Sequence, residues 1–310
     1  MNEHKLSTTL YQNLLSEHTK EKSERLILRV ALFSFIIHLI IIGLVKLNII
    51  HTDETSNLLN NPVAAIYTPF SFILVYEVYL LIYFLPKSTA IYVSKQYEII
   101  TLIVFRRLFK DLSNLNLTEN WFNNQNDLQF TFDLITAIVL FFLIYLFHIN
   151  RVKVYEPAQQ QQQNFDKLTQ FINIKKWIAI ALVPILIFVS IFSLVNWSLG
   201  IIQPNAVEAL SFKNINNIFF EQFFTVLIVT DVFLLLFSFF HTDHFHKVIR
   251  NSGFIISTIL LRISFSVDGI INNLLIIAAV LFGLLIVLIH NKFEKQFVPL
   301  KTEELSESEE

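Results

Sequence analysis

FFEQFFTVLIVTDVFLLLFSFF, residues 219–240, and FIISTILLRISFSV, residues 254–267, are consecutive apolar runs with one charge set deep in each: Asp231 in the first, Arg262 in the second. About 20 apolar residues in a helix cross ~30 Å of hydrocarbon. A charge at the centre of such a span costs at least ~2.5 kcal/mol on insertion scales, so it is usually paired or functional. The pair therefore predicts a membrane protein with an internal ion pair between adjacent helices.

The first half of the chain has the same arrangement. FSFILVYEVYLLIY (70–83) lies over FTVLIVTDVFLLLF (224–237) at an offset of 154, with five of fourteen residues identical and Glu77 on Asp231. At an offset of 155, Lys95 falls on Arg250 and Arg107 on Arg262. ITAIVLFFLIYLFH (135–148) lies over IAAVLFGLLIVLIH (277–290) at an offset of 142, with six identities including the final histidine. Apolar segments match one another easily, so the matched rare residues carry the weight: acid on acid, base on base, histidine on histidine. The reading is a tandem duplication of a four-helix unit. An even number of spans per unit gives both halves the same orientation, as parallel repeats.

Composition agrees with this class. Of 310 residues, 54% are hydrophobic and 32 are Phe, and the apolar runs are too long for a soluble core. Strands in a barrel would instead show ~10-residue alternating segments. Cysteine is absent, which excludes disulfides, thiolate metal sites and cysteine nucleophiles. A net charge of −2 gives no field for nucleic acid. No nucleotide loop, nucleophile elbow or HExxH is present, so no enzyme activity and no cofactor are expected.

The expected fold is an all-α integral membrane bundle of about eight transmembrane helices. Residues 1–25 form a cytosolic N-terminal segment, with a helix from about Tyr11. Residues 26–150 form the first unit, 151–176 a Gln-rich, unstructured cytosolic linker, 177–291 the second unit, and 292–310 an acidic, disordered cytosolic tail. Spans fall near 26–47, 64–85, 90–112, 130–149, 177–199, 219–240, 252–267 and 271–289. The third is short of apolar residues and could lie flat on the membrane. Charge bookkeeping favours crossing. With eight spans and both termini inside, sixteen Lys and Arg face the cytosol, whereas only Lys46, Lys110 and Lys213 face out. A plasma or inner membrane is the expected location.

At 1.5 Å per residue, Asp231 and Arg262 lie roughly 15 and 18 Å from the cytosolic side, and Glu77 and Arg106 roughly 13 and 16 Å. Two equivalent pairs follow, with Arg107 as the alternative partner of Glu77. Glu77, Arg106, Arg107, Asp231 and Arg262 are either helix-locking ion pairs or proton or cation sites on a pathway. Polar residues His38, Thr101, Ser257 and Thr258 would line such a pathway. A lone histidine such as His38 is more often a hydrogen-bonded core residue than a ligand. His241, Asp243, His244 and His246 offer metal-ligand chemistry, but their spacing matches no closed motif, so no metal is expected. His148 and His290 are expected at headgroup level.

The functional reading is a channel or transporter for an ion or small solute. The alternative is a non-catalytic scaffold or accessory subunit of a membrane complex. Expected partners are the lipid bilayer, an ion or small solute, and a second copy or a membrane-complex subunit.

Overall fold

The structure is a computed structural model of the chain, and it describes residues 2–49, 62–112, 124–151, 165–202, 212–241, 245–267 and 269–307. These residues are all-helical. Helix α1 is Asn2–Leu15 and α2 is Glu17–Lys46. A 3-10 turn, Pro62–Ile66, leads into α3, Tyr67–Phe84. Then follow α4 (Thr89–Leu112), α5 (Gln125–Arg151), α6 (Phe165–Ile202), α7 (Phe212–His241), α8 (Phe245–Ser264) and α9 (Ile270–Glu307).

Among the described residues, four helical runs are long and apolar enough to cross a membrane: Thr9–Lys46, which starts in α1 and continues through α2, and Asp127–Arg151, Thr169–Phe192 and Ile270–Gln296 in α5, α6 and α9. Shorter apolar runs occupy Thr68–Phe84 and Phe223–Phe239, in α3 and α7. Large apolar side chains point outward along these helices. Phe33 of α2 is 65% exposed and Phe141 of α5 is 70% exposed, beside Ile37, Ile138, Phe188 and Leu274. Apolar surface of this extent is what lipid covers and water does not. The buried positions, in contrast, hold many of the polar and charged side chains.

Three expectations about the ends of the elements change. The N-terminal helix starts at Asn2 rather than Tyr11 and breaks at Ser16, whose hydroxyl caps α2 by accepting from the Thr19 N–H at 3.1 Å. The second part of the linker is helical, because α6 begins at Phe165. FINIKKW continues the apolar spacing of the following span back into the linker, and Lys175 there is buried. The acidic tail is helical to Glu307, in a sequence of strong helix formers (Glu, Lys, Leu). The remainder of the linker, residues 152–164, lies outside the described residues.

Packing joins the two halves of the chain. Helix α2 packs on α3, and α6 on α7; α4 packs on α5, and α8 on α9. Across the halves, α5 meets α9, α4 meets α8, and α3 meets α6. Two apolar cores result. One joins Leu74, Val78 and Ile82 of α3 to Leu182 of α6 and Phe223 and Leu227 of α7. The other joins Tyr97 of α4 and Phe147 of α5 to Phe254 of α8 and Ile276 of α9.

Candidate functional site: two buried ion pairs and a small polar cavity

Asp231 stands in the apolar second half of α7 and is buried, so its charge partner has to come from within the bundle. Arg262 of α8 supplies it, with Nη2 at 2.7 Å from Oδ2. Asp231 is 1% exposed and Arg262 6% exposed. The first half of the chain adds two groups from α4. The Tyr92 hydroxyl donates to Asp231 Oδ1 at 3.1 Å, and Arg262 Nη2 donates to Gln96 Oε1 at 3.3 Å. Arg262 Nη1 and Gln96 Nε2 are buried donors without a hydrogen-bond partner. The Asp231–Arg262 contact itself is a charge contact off hydrogen-bond alignment. This quartet is therefore incompletely satisfied, and an unsatisfied buried donor costs about 1–3 kcal/mol.

A cavity of about 20 Å³, room for one water, lies beside it. Tyr92, Gln96, Lys175, Asp231, Asn251 and Thr258 are among its walls. It extends toward the end of the bundle where α4 and α8 begin and α7 ends. Lys175 of α6 is held there by donating to the Lys87 carbonyl at 3.2 Å, and Asn251 by donating to Ser238 Oγ at 3.0 Å.

The other expected pair also forms. Arg106 of α4 donates through Nη2 to Glu77 Oε2 of α3 at 3.0 Å and through Nη1 to the Phe70 carbonyl at 3.2 Å. Both side chains are buried. Arg107, one residue on and about 100° round the helix, turns to a different set. It makes a bidentate pair with Asp133 of α5, through Nε and through Nη2 at 3.0 Å, and donates to Asn272 and Asn273 of α9. Asn273 Nδ2 and Gln129 Nε2 donate to Asp133 Oδ1 at 2.6 and 2.7 Å. This network joins the two halves, and neither Asp133 nor the two asparagines were singled out from the sequence. The signal was present. Asp133 is an acid inside an apolar run, the same signal that selected Glu77 and Asp231.

Of the expected polar lining, Thr258 reaches the cavity. Thr101 donates to the Tyr97 carbonyl at 3.0 Å within its own helix. Ser257 is fully buried between the Tyr97 hydroxyl and the Ala279 carbonyl, each at 2.6 Å. His38 pairs with Thr68 Oγ1 and ties α2 to α3. Among the metal candidates, Asp243, His244 and the His241 side chain lie outside the described residues. His246 stacks on His290, ring centroids 5.3 Å apart.

Comparison with protein-family models, with curated proteins and with solved structures finds no match to this chain.

Proposed function

We propose that the protein passes an ion or small solute through a membrane, with Asp231 as the carboxylate that receives a cation and the proton as the cargo that fits best. The observation that carries this reading is the cavity against Asp231, the carboxylate of an ion pair that is incompletely hydrogen-bonded. A fully packed structural pair has no such space. The volume holds one water, which can hand on a proton but leaves no room for a hydrated metal ion. Protonation of Asp231 would leave Arg262, which already donates to Gln96 Oε1 at 3.3 Å, without its counter-charge. The Glu77–Arg106 pair, bound also to a backbone carbonyl, serves to hold α3 against α4.

The proposal includes the full topology: eight spans in two parallel halves, with both termini in the cytosol. Three features support it. The long apolar helices α2, α5, α6 and α9 are the first and last of each half, and the Glu77–Arg106 and Asp231–Arg262 pairs sit on the middle two. The acid–arginine pair recurs between α3 and α4 and between α7 and α8. Two pairs of corresponding helices meet across the halves, α4 with α8 and α5 with α9.

The Arg107–Asp133–Asn273 network favours a second reading, a membrane scaffold, because it is bonded on all sides and locks the halves together. Proteoliposomes holding the purified protein, assayed for H⁺, K⁺, Na⁺ and Cl⁻ flux beside a Glu77→Gln/Asp231→Asn double variant, separate the two. Flux in the wild type that a folded double variant lacks supports passage. No flux of any ion in the wild type, with loss of thermal stability in the variant, supports the scaffold.

A further inference from the structure

We propose that His246, His290 and Glu294 form a binding site for a divalent transition metal, with Zn²⁺ as the best fit. His290 and Glu294 are four residues apart on α9 and so share a face. His246, in the opening turn of α8, reaches across to them. One ligand atom from each of the three lies within 4.8 Å of the other two. His290 Nε2 stands 3.3 Å from Glu294 Oε1. Zinc with ligands at about 2.0–2.2 Å in a tetrahedron spaces neighbouring ligand atoms by about 3.4 Å, so that edge is already set. His246 needs only a side-chain adjustment to complete the triad. Two imidazoles and one carboxylate are the borderline donor set that zinc takes, with a fourth position left for water.

The surroundings argue for a ligand and name its competitor. His290 is 3% exposed, and its Nε2 faces both Glu294 Oε1 and the Arg250 guanidinium. In the metal-free arrangement Arg250 Nη1 donates to His290 Nε2 at 3.0 Å. Nε and Nη2 of the same guanidinium are held by Asn251 Oδ1 at 3.3 and 3.2 Å. A metal therefore has to displace only Nη1, against the nearby positive charge. The corresponding histidine of the first half, His148, has Glu98 and Arg151 beside it and no second imidazole among the described residues. The site thus belongs to one half alone. It is separate from the Asp231 cavity and does not depend on its function.

The test is titration of chelator-treated protein in detergent with Zn²⁺, and with Co²⁺ as a spectroscopic reporter of geometry. The expected result is one Zn²⁺ per chain and the absorption of four-coordinate Co²⁺. His246→Ala and Glu294→Gln should each weaken binding at least about tenfold, and Arg250→Gln should tighten it about tenfold, each step equivalent to ~1.4 kcal/mol. Both ligand variants replace half-buried side chains, so folding is retained, and the Arg250→Gln gain cannot come from misfolding. Absence of stoichiometric Zn²⁺ binding overturns the proposal. So does binding that is unchanged in both ligand variants.

Discussion

At the scale of single residues, the two ion pairs are stable only as pairs. Removing one partner leaves a buried, uncompensated charge and costs about 3–5 kcal/mol, whereas replacing both by apolar residues of similar volume is close to neutral. Arg262→Met should therefore lower stability by about that amount, and Arg262→Met/Asp231→Leu should recover most of it. Denaturation of the two variants in detergent, followed by helical signal, checks this. Equal losses in the single and double variants would mean that the pair is not the energetic unit. The pairs were legible in the sequence because acids and arginines are rare inside apolar runs. Which arginine takes Glu77 was not. Arg106 and Arg107 differ by about 100° around α4, and the rotation of that helix is set by its packing on α5 and α8 rather than by its own residues.

At the scale of elements, close helix approach depends on small residues at defined points. A Cβ on Gly283 of α9 would lie 1.8 Å from the Tyr97 hydroxyl and 3.1 Å from Ser257 Oγ. Gly283→Ala should destabilise by about 1–3 kcal/mol through overpacking of α9 against α4 and α8. Gly43 of α2 meets nothing within 4 Å, so Gly43→Ala should be neutral or slightly stabilising. Thermal unfolding of the two variants side by side checks the contrast. The junction of α1 with α2 is held by a different device. The Tyr79 hydroxyl donates to the Leu14 carbonyl at 2.9 Å, Tyr83 donates to Glu17 at 2.6 Å, and Leu15 is buried. Tyr79→Phe/Tyr83→Phe should loosen α1, read as faster proteolysis near Leu15–Ser16 with the rest of the chain protected. Helical content beyond the spans was missed in reading the sequence because polar and charged runs such as those of residues 165–176 and 292–307 carry no burial signal. Their helices are extensions of apolar spans, and Lys175 is buried by its neighbours rather than by its own character.

At the scale of the whole molecule, the halves are joined by polar bonds as well as by apolar packing. The Arg107–Asp133–Asn272–Asn273 network links α4 and α5 to α9, and Asn291 Nδ2 donates to the Asn150 carbonyl at 2.8 Å near the ends of α5 and α9. Asp133→Ala should lower stability by less than the ~3–5 kcal/mol of a fully buried pair, since Arg107 is part-exposed and keeps Asn272 and Asn273 as acceptors. The absence of cysteine makes the proposed topology directly testable by single-cysteine labelling. Lys5→Cys, Lys87→Cys and Lys301→Cys should react from one side of the membrane, and Ser113→Cys and Lys213→Cys from the other. Reaction of Lys87→Cys and Ser113→Cys from the same side would mean that α4 does not cross. Fold class was legible at this scale because membrane insertion demands long apolar runs. The cavity was not, since it is made by side chains from α4, α6, α7 and α8 that only the assembled bundle brings together.

The most direct measurement is the rate of proton uptake into proteoliposomes driven by a pH gradient, for the wild type, Asp231→Asn, Tyr92→Phe and Glu77→Gln, each first shown to be folded. Asp231→Asn is predicted to reduce the rate to that of empty vesicles. Tyr92→Phe should slow it about tenfold, the rate equivalent of ~1.4 kcal/mol from one lost hydrogen bond to the carboxylate. Glu77→Gln should keep most of it. A wild type no faster than empty vesicles, or Asp231→Asn as fast as the wild type, would contradict the placement of Asp231 on a proton path.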